Sequence, residues 1–528
     1  MKTLNIIPAF LVAALSLTSC SDDWDNHYDR SETAATESVL DMVKGNPDLS
    51  TFARMIEIAG YSDLLGSSQT FTVFAPTNEA LAGVSLENTD EVKRIVANHI
   101  SRFNNSTASD AAQGVKMYNG KRFFFDGNSF GGATLDDTDN IATNGILHIV
   151  STQIPYVYNL REYFDTHDNT SAIAEFIARF DEKQLDLESS VAIGVDEKGQ
   201  TVYDSVLIDY NPVFDRYHGI GDIANEDSVF TMIIPDNVAW QKAYDRISPY
   251  FNVYNDDQAV ADSIRDVQTS LAIISDLVYR QEVEDPAAFP KLMSTTGSEI
   301  FDVPALFAGT TRIKASNGWI YAAPRVNYDN TETWNKEIEV EGETQTGRTP
   351  GAGTTINVRS VDSDNPFADV ISEMRYIEVS STSPSRQPGV TISIPDVLSG
   401  QYDIYASFVP ANVLDATAVN DSTRVSFTIS YMGANGRSTT SRFTNSDFIT
   451  RPTEMTLIKV AEGFSFPVSN YYDPLWWMDE THSSLDQTVT TSVYVTTNVS
   501  NTEFNRGVMT RRFRLDRIIF VPVKDLAD

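Results

Sequence analysis

Two stretches of the chain carry the same alternation of apolar and polar positions. Thr72-Val73-Phe74-Ala75-Pro76-Thr77-Asn78-Glu79-Ala80-Leu81 is an apolar run closed by a proline and followed by a polar start. Thr231-Met232-Ile233-Ile234-Pro235-Asp236-Asn237-Val238-Ala239-Trp240 repeats it. Each predicts a buried strand that stops at proline, then a helix with Thr77 or Asp236 as N-cap. Downstream, Asn144-Gly145-Ile146-Leu147-His148-Ile149 is echoed by Asn317-Gly318-Trp319-Ile320-Tyr321-Ala322. Asn-Gly predicts a tight turn feeding an apolar strand. Between these boxes, 92–100 and 274–283 each predict an amphipathic helix running into a strand, the first holding Asn98 and His99. The order and chemistry match, so one unit is written twice.

Beyond about residue 365 the period becomes two. Val390–Ile394, Tyr402–Val409, Arg424–Ile429, Ser492–Thr496 and Arg514–Val521 all predict strands, and helical patterns almost vanish. This region is expected to be an all-β sandwich or jelly roll. Residues 329–364, rich in Gly, Pro and Thr and marked by alternating Glu337, Glu339, Glu341 and Glu343, read as a linker or excursion.

Charge narrows the functional classes. The chain has 528 residues, 73 acidic against 39 basic, for a net charge of −34. A nucleic-acid binder must neutralise phosphates with Lys and Arg, so that class is excluded. A peripheral grip on anionic lipid is disfavoured on the same ground. The single cysteine, Cys20, makes intrachain disulfides impossible, so hydrophobic cores must hold the fold.

Cys20 follows a short apolar run that begins with a basic Lys2 and ends in Thr18-Ser19. Residues 1–19 have the layout of a secretory signal and are too short to span a bilayer. The segment resembles a bacterial lipobox, which implies that Cys20 is acylated. Asp22, Asp23 and Asp25 directly after it resemble the export signal of Bacteroidota-type surface lipoproteins. That resemblance implies an outer-membrane, lipid-anchored, surface-exposed protein, with 20–36 as an acidic tether.

The duplicated boxes resemble the fasciclin (FAS1) domain. TVFAPTNEAL is close to that family's first box, NGILHIV to its second, and Asn98-His99 to its central region. The likeness is good over 37–157. It is more divergent over 158–328, where Ile234 stands for the family's Ala, Arg280 for its central His, and an acidic insertion occupies 181–227. It implies two α+β domains with a role in adhesion or extracellular binding and no enzymatic activity. Pro76, Thr77, Asn78, Asn98, His99, Asn144, Gly145, His148, Pro235, Asn237, Asn317 and Gly318 are the motif positions, with structural roles expected. Ser399–Tyr405 and Leu515–Pro522 resemble two strands of galactose-binding-like jelly rolls, a fold common among carbohydrate-binding modules. The expected architecture is therefore multidomain: two α+β fasciclin-like domains, then a β-sandwich over 365–528.

Candidate chemistry is sparse. The six histidines form no ligand pair at helical spacing, and no nucleophile elbow or phosphate loop is present. Calcium has two weak candidates, Asp136–Asn140 and Asp362–Asn365, without EF-hand spacing; solvated turns explain both as well, and no cofactor is expected. Tyr471, Tyr472, Trp476 and Trp477, flanked by Asp473, Asp479 and Glu480, lie between strand-like segments. These rings either stack on sugars or plug the sandwich. Asp-Ser-Val at 204–206 and 227–229 and Asp-Ser-Ile at 262–264 resemble O-glycosylation acceptors. The expected function is non-enzymatic binding of an extracellular glycan or protein, accessory to an outer-membrane transporter of glycans. An adhesive module and a glycoside hydrolase are the rivals.

Overall fold

The structure is a computed structural model that describes residues 35–108, 113–186, 190–195, 201–204, 206–215, 219–383, 385–470 and 491–524. The chain divides between Tyr156 and Val157 into two compact units. Among the described residues no helix is long and apolar enough to cross a membrane.

The first unit contains helices α1 (Val39–Gly45), α2 (Ser50–Ala59) and α3 (Thr89–Asn98). Its strands are β1 (Phe71–Pro76), β2 (Ile100–Ser101), β3 (Gln113–Lys116), β4 (Arg122–Phe125), β5 (Ser129–Phe130), β6 (Ala133–Ala142) and β7 (Gly145–Val150). They form one sheet in the order β2-β1-β7-β6-β5-β4-β3, with β1 and β7 parallel. The unbroken apolar run of β1 is explained by two cores. Val73 faces the helices with Phe52, Ile56 and Val96, and Phe74 faces the curled β3–β6 end with Phe125 and Phe130. A strand covered on both faces has no polar side to show.

The second unit begins by repeating this plan. Helices α4 (Leu160–Thr166) and α5 (Ser171–Ala178) are followed by strands β8 (Glu182–Leu185), β9 (Val191–Val195), β10 (Thr201–Asp204) and β11 (Leu207–Tyr210). These four strands make two small antiparallel pairs, β8 with β11 and β9 with β10, from the acidic insertion. Then come β12 (Phe230–Pro235), α6 (Asn237–Ile247), α7 (Gln258–Ile274), β13 (Val278–Tyr279), the short pair β14 (Leu292–Met293) and β15 (Glu299–Ile300), α8 (Val303–Leu306), β16 (Thr311–Ala315) and β17 (Gly318–Ala323). The sheet order β13-β12-β17-β16, with β12 and β17 parallel, reproduces β2-β1-β7-β6.

The rest is a two-sheet sandwich. Its strands are β18 (Ile338–Glu341), β19 (Arg348–Pro350), β20 (Thr354–Ser360), β21 (Arg375–Ser381), β22 (Gly389–Ile394), β23 (Gln401–Phe408), β24 (Thr423–Met432), β25 (Ser438–Thr450), β26 (Thr456–Ser465), β27 (Thr491–Thr497) and β28 (Arg512–Pro522). One sheet runs β20-β21-β28-β23-β26, with β18 also on β28; the other runs β19-β22-β27-β24-β25. Ile377, Val379, Leu515 and Ile518 of the first share a core with Ile392, Phe427, Val493 and Val495 of the second.

The second copy and the sandwich are fused rather than strung on a linker. Ser399 N–H donates to Tyr250 O at 2.9 Å, and Ser399 Oγ donates to Pro249 O at 2.7 Å. Ser469 N–H donates to Asn252 O at 2.6 Å. The ring of Tyr250 lies against Gly400, where a Cβ would come within 3.1 Å of it.

Three expectations are corrected. Residues 329–364 are not a linker, because β18, β19 and β20 all lie there and pair into both sheets. Glu339 and Glu341 belong to a period-two strand whose other half, Ile338 and Val340, packs on the core, while Glu343 lies past the strand and is buried. The helix of the second copy lies at 258–274, upstream of the expected 274–283, which instead holds a turn and β13. Thr77 caps only a turn: its Oγ1 accepts Ala80 N–H at 3.2 Å, but no helix follows. Asp236 does cap α6, accepting Ala239 N–H at 2.7 Å.

Candidate functional site

The motif residues of the two copies point inward. Asn144 bridges three segments: its Oδ1 accepts Val39 N–H at 2.8 Å, and its Nδ2 donates to Leu65 O and Ser67 O at 2.8 and 2.7 Å. Asn317 does the same in the second copy, accepting Leu160 N–H at 3.1 Å and donating to Ile223 O and Asn225 O at 2.8 and 3.2 Å. The next residue must be glycine. A Cβ on Gly145 would stand 1.8 Å from Phe71 O, and one on Gly318 would stand 1.7 Å from Phe230 O. Asn78 and Asn237 pin the strand's exit to the preceding helix, accepting Thr51 N–H at 2.8 Å and Ala172 N–H at 3.0 Å. Pro76 and Pro235 end the strands opposite Val150 and Ala323.

Among the described residues, the buried histidines sit in the first copy. Nε2 of His99 accepts Ile154 N–H at 3.1 Å, so Nδ1 carries the proton and donates to Ile95 O at 2.7 Å. Burial holds His99 neutral and pushes its pKa down to about 4. Asn98 donates from Nδ2 to Ile154 O at 3.4 Å and accepts from Asn119 at 3.1 Å. His148 stacks on Phe74 at 5.1 Å and donates from Nε2 to Asn105 O at 2.8 Å, and burial lowers its pKa too.

Sheet register corrects the expected equivalence of His99 with Arg280. Phe74 N–H donates to His99 O at 2.9 Å, and Ile233 N–H donates to Leu277 O at 2.9 Å, so Leu277 is the counterpart. His148 corresponds to Tyr321, whose hydroxyl donates to Val283 O at 2.8 Å. A pair that motif spacing did not single out is Thr72 and Thr231. Their hydroxyls donate to Phe103 O at 2.5 Å and Gln281 O at 2.7 Å, and accept Asn105 N–H and Val283 N–H at 2.9 Å each. The boxes are thus keystones of the fold, with no open site among them.

The outer face of the β19-β22-β27-β24-β25 sheet is different. Pairing register lines up Thr349, Thr391, Tyr494, Thr428 and Arg442 across all five strands. The next row along the sheet holds Ser393, Ser492, Ser430 and Thr440. Tyr494 is partly exposed and leans across Gly389, where a Cβ would meet its hydroxyl at 2.4 Å and its ring at 2.6 Å. Gly351 lies beneath the same hydroxyl, at 3.0 Å from where its Cβ would be. The sheet therefore presents one low aromatic ring amid hydroxyl groups, with a guanidinium at the end of the row.

The sandwich also buries acids. Asp516 is fully buried, accepts Ser407 Oγ at 3.0 Å and Ser372 N–H at 3.1 Å, and is pushed up to about 6 by burial. Glu341 accepts Ser372 Oγ at 2.6 Å, and burial raises it as well. Both carboxylate oxygens of Glu343 are buried with no hydrogen-bond partner among the described residues, and burial raises this group too. Among the described residues, no three His, Cys, Asp or Glu side chains are placed to hold a metal ion. Residues of the two calcium candidates make local hydrogen bonds. Asp139 accepts from the N–H and hydroxyl of Thr107, and Asn365 donates to Val413 O at 2.8 Å in a turn begun by Asp362.

Cys20, Tyr471, Tyr472, Trp476 and Trp477 lie outside the described residues. The described residues on either side of 471–490 both meet Ile394: Asn470 Nδ2 donates to Ile394 O at 3.2 Å, and Thr491 pairs with Ile394.

Residues 47–155 match the Fasciclin domain family model. Protein sll1483 of Synechocystis sp. (strain ATCC 27184 / PCC 6803 / Kazusa) is 29% identical over 137 residues, covering 23% of this chain and 76% of that protein. Among solved structures, the chain is similar to the FAS1 domain pair from the insect cell adhesion molecule Fasciclin I. That likeness has 15% identity and a TM-score of 0.20, over 55% of this chain and 99% of the other. A xylan-binding domain from CBM 22 has 12% identity and a TM-score of 0.20, over 35% of this chain and 92% of its own.

Proposed function

We propose that the chain is a non-enzymatic binding protein of the cell surface, anchored through acylated Cys20, that takes an extracellular glycan on the outer face of the β19-β22-β27-β24-β25 sheet. The observation that carries the reading is Tyr494 laid low across Gly389 among hydroxyl groups. A pyranose ring presents C–H groups on its faces and hydroxyls around its rim. A low aromatic ring receives the face, and Thr391, Thr428 and Arg442 receive the rim. Aromatic stacking of this kind contributes on the order of 1 kcal/mol beyond the area it buries. The Fasciclin match at 47–155 supports a binding or adhesive role for the first unit. The acidity of the chain keeps it soluble and apart from its neighbours on a surface. Service to an outer-membrane glycan transporter is the setting in which such a lipoprotein would act.

A second reading has its own observation. Phe103, Phe124 and Ile141 of the first unit are 68%, 59% and 69% exposed, apolar side chains that a protein partner could cover. They favour an adhesive contact with a protein partner. The test of the glycan reading is an array of neutral and acidic polysaccharides probed with the chain and with Tyr494→Ala. At least a tenfold loss of affinity for neutral glycan in the folded variant is expected. Unchanged binding would remove the sheet face from the proposal.

A further inference from the structure

A cleft of about 760 Å³ opens in the second unit where α6, the connection after β17 and the end of β28 meet. Its size falls within the range of ligand sites. Four cationic side chains line it: Lys242 and Arg246 from α6, Arg325 after β17, and Lys524 after β28. Three acids share the lining. One of them, Asp329, is already occupied: Lys524 Nζ lies 2.8 Å from its Oδ2, and Thr331 donates to its Oδ1 from both N–H and hydroxyl. Setting that pair aside, and Arg246, which has a partner of its own, leaves the exposed Lys242 and Arg325 beside Asp302 and Glu332.

The lining as a whole, four cations to three acids, inverts the balance of the chain, where acids outnumber bases 73 to 39. Random scatter on so acidic a chain would surround each cation with carboxylates. Lys242 and Arg325 are exposed, and neither makes an ion pair among the described residues. The same wall offers an acceptor, because Oδ1 of Asn330 is buried without a hydrogen-bond partner among the described residues. A guanidinium fork matches the flat, two-oxygen edge of a carboxylate or sulfate, and an ammonium on the same lining adds a second positive charge.

We infer that this cleft binds an acidic saccharide, its carboxylate or sulfate held by Arg325 and Lys242 and a hydroxyl donated to Asn330. The inference deepens the glycan reading, on which it rests, but uses a different surface from the Tyr494 face. Two sources of the anion are open, a uronic acid and a sulfate ester, and each supplies an arm of the test.

The experiment is calorimetric titration of the full chain with trigalacturonate, with a sulfated trisaccharide and with neutral xylotriose. The parent is expected to bind at least one acidic trimer, with affinity falling as NaCl rises because exposed charges are screened. The double change Lys242→Ala/Arg325→Ala should weaken that binding at least tenfold. Tyr494→Ala should leave it within twofold, since that residue lies on the sheet face. Both altered positions are exposed, and circular dichroism checks that the fold is kept. An unchanged affinity in the double variant overturns the inference, as does the absence of binding to either acidic trimer. Loss of neutral glycan binding in Tyr494→Ala alone speaks only to the sheet face, so the two readings fail separately.

Discussion

The two copies of the repeated unit reach the same topology with different buried chemistry. Where both must satisfy backbone groups they use the same residue: Asn144 and Asn317, Gly145 and Gly318, Asn78 and Asn237, Thr72 and Thr231. Where one copy has a backbone group to satisfy that the other lacks, or where only a donor is needed, they differ. His99 becomes Leu277, and His148 becomes Tyr321. The backbone amide and carbonyl are fixed in direction and costly to leave unpaired, so few side chains can serve them. A ring that donates to the carbonyl of residue 105 or 283 can be imidazole or phenol, because only the donor's position is prescribed. The histidines of the first copy are one solution to a packing problem.

The largest effect should come from the shared glycines. Gly145→Ala should unfold the first unit while leaving the second intact, and Gly318→Ala should do the reverse. Each inserts a methyl within 2 Å of a backbone oxygen in a paired strand, a clash of the kind that costs more than about 4 kcal/mol. Hydrogen exchange read by mass spectrometry should show protection lost from one unit in each variant. Loss from both in either variant would break the claim that the copies are held independently.

Acid should separate the units next. His99 is neutral in the fold, with its pKa lowered from 6.5 to about 4. The unfolded chain therefore takes up a proton first, and stability falls as pH drops from about 6.5 towards 4. The loss approaches about 3 kcal/mol for the first unit. Asp516 has the opposite sign, since its pKa is raised from 3.8 to about 6. Its stability contribution is present at low pH and disappears as pH rises through 6, a cost near 3 kcal/mol at neutrality. Between pH 6.5 and 4 exchange should quicken around His99 and slow around Asp516. His99→Leu should flatten the first trend and Asp516→Asn the second; a trend that survives its own substitution counts against that assignment.

The smallest effect should come from exchanging the rings. His148→Tyr keeps a donor for Asn105 O but crowds Phe74 and Phe125, which already stand 5.1 and 5.7 Å from the imidazole. Overpacking of this size costs about 1–3 kcal/mol. Tyr321→His should fall at the lower end of that range, as a smaller ring in the same place. Equilibrium unfolding in urea measures both, and a loss above about 4 kcal/mol would show that the two positions are not interchangeable.

Much of this was legible in the sequence for one reason: backbone constraints recur at fixed spacing. Asn144-Gly145 and Asn317-Gly318 announce a turn and a close strand approach wherever they occur. The apolar run of β1 and the alternation of β22, β24 and β28 likewise follow directly from which faces are covered. The failures share a cause as well. Glu339 and Glu341 alternate with Ile338 and Val340, and that period of two, rather than the charge, is what makes β18 a strand. Matching helix patterns aligned His99 with Arg280, but only the hydrogen-bond ladder reveals Leu277. Tyr494 is one residue in an ordinary alternating strand, and its meaning depends on Gly389 in the neighbouring one. The cleft gathers side chains from positions 239 to 524, a convergence that no local pattern encodes.

The place where the sandwich begins bears on how such a protein can be cut and recombined. A fragment started at residue 365, where alternation becomes obvious, would lack β18, β19 and β20. It would lay open the flank of β28 that β18 covers at Ile518 and Phe520. Started before Ile338 it would still leave Ser399 and Ser469 without Pro249, Tyr250 and Asn252. The portable piece is thus the second copy together with its sandwich, from Val157 onward, and recombination between genes would preserve function only by moving the two as one cassette.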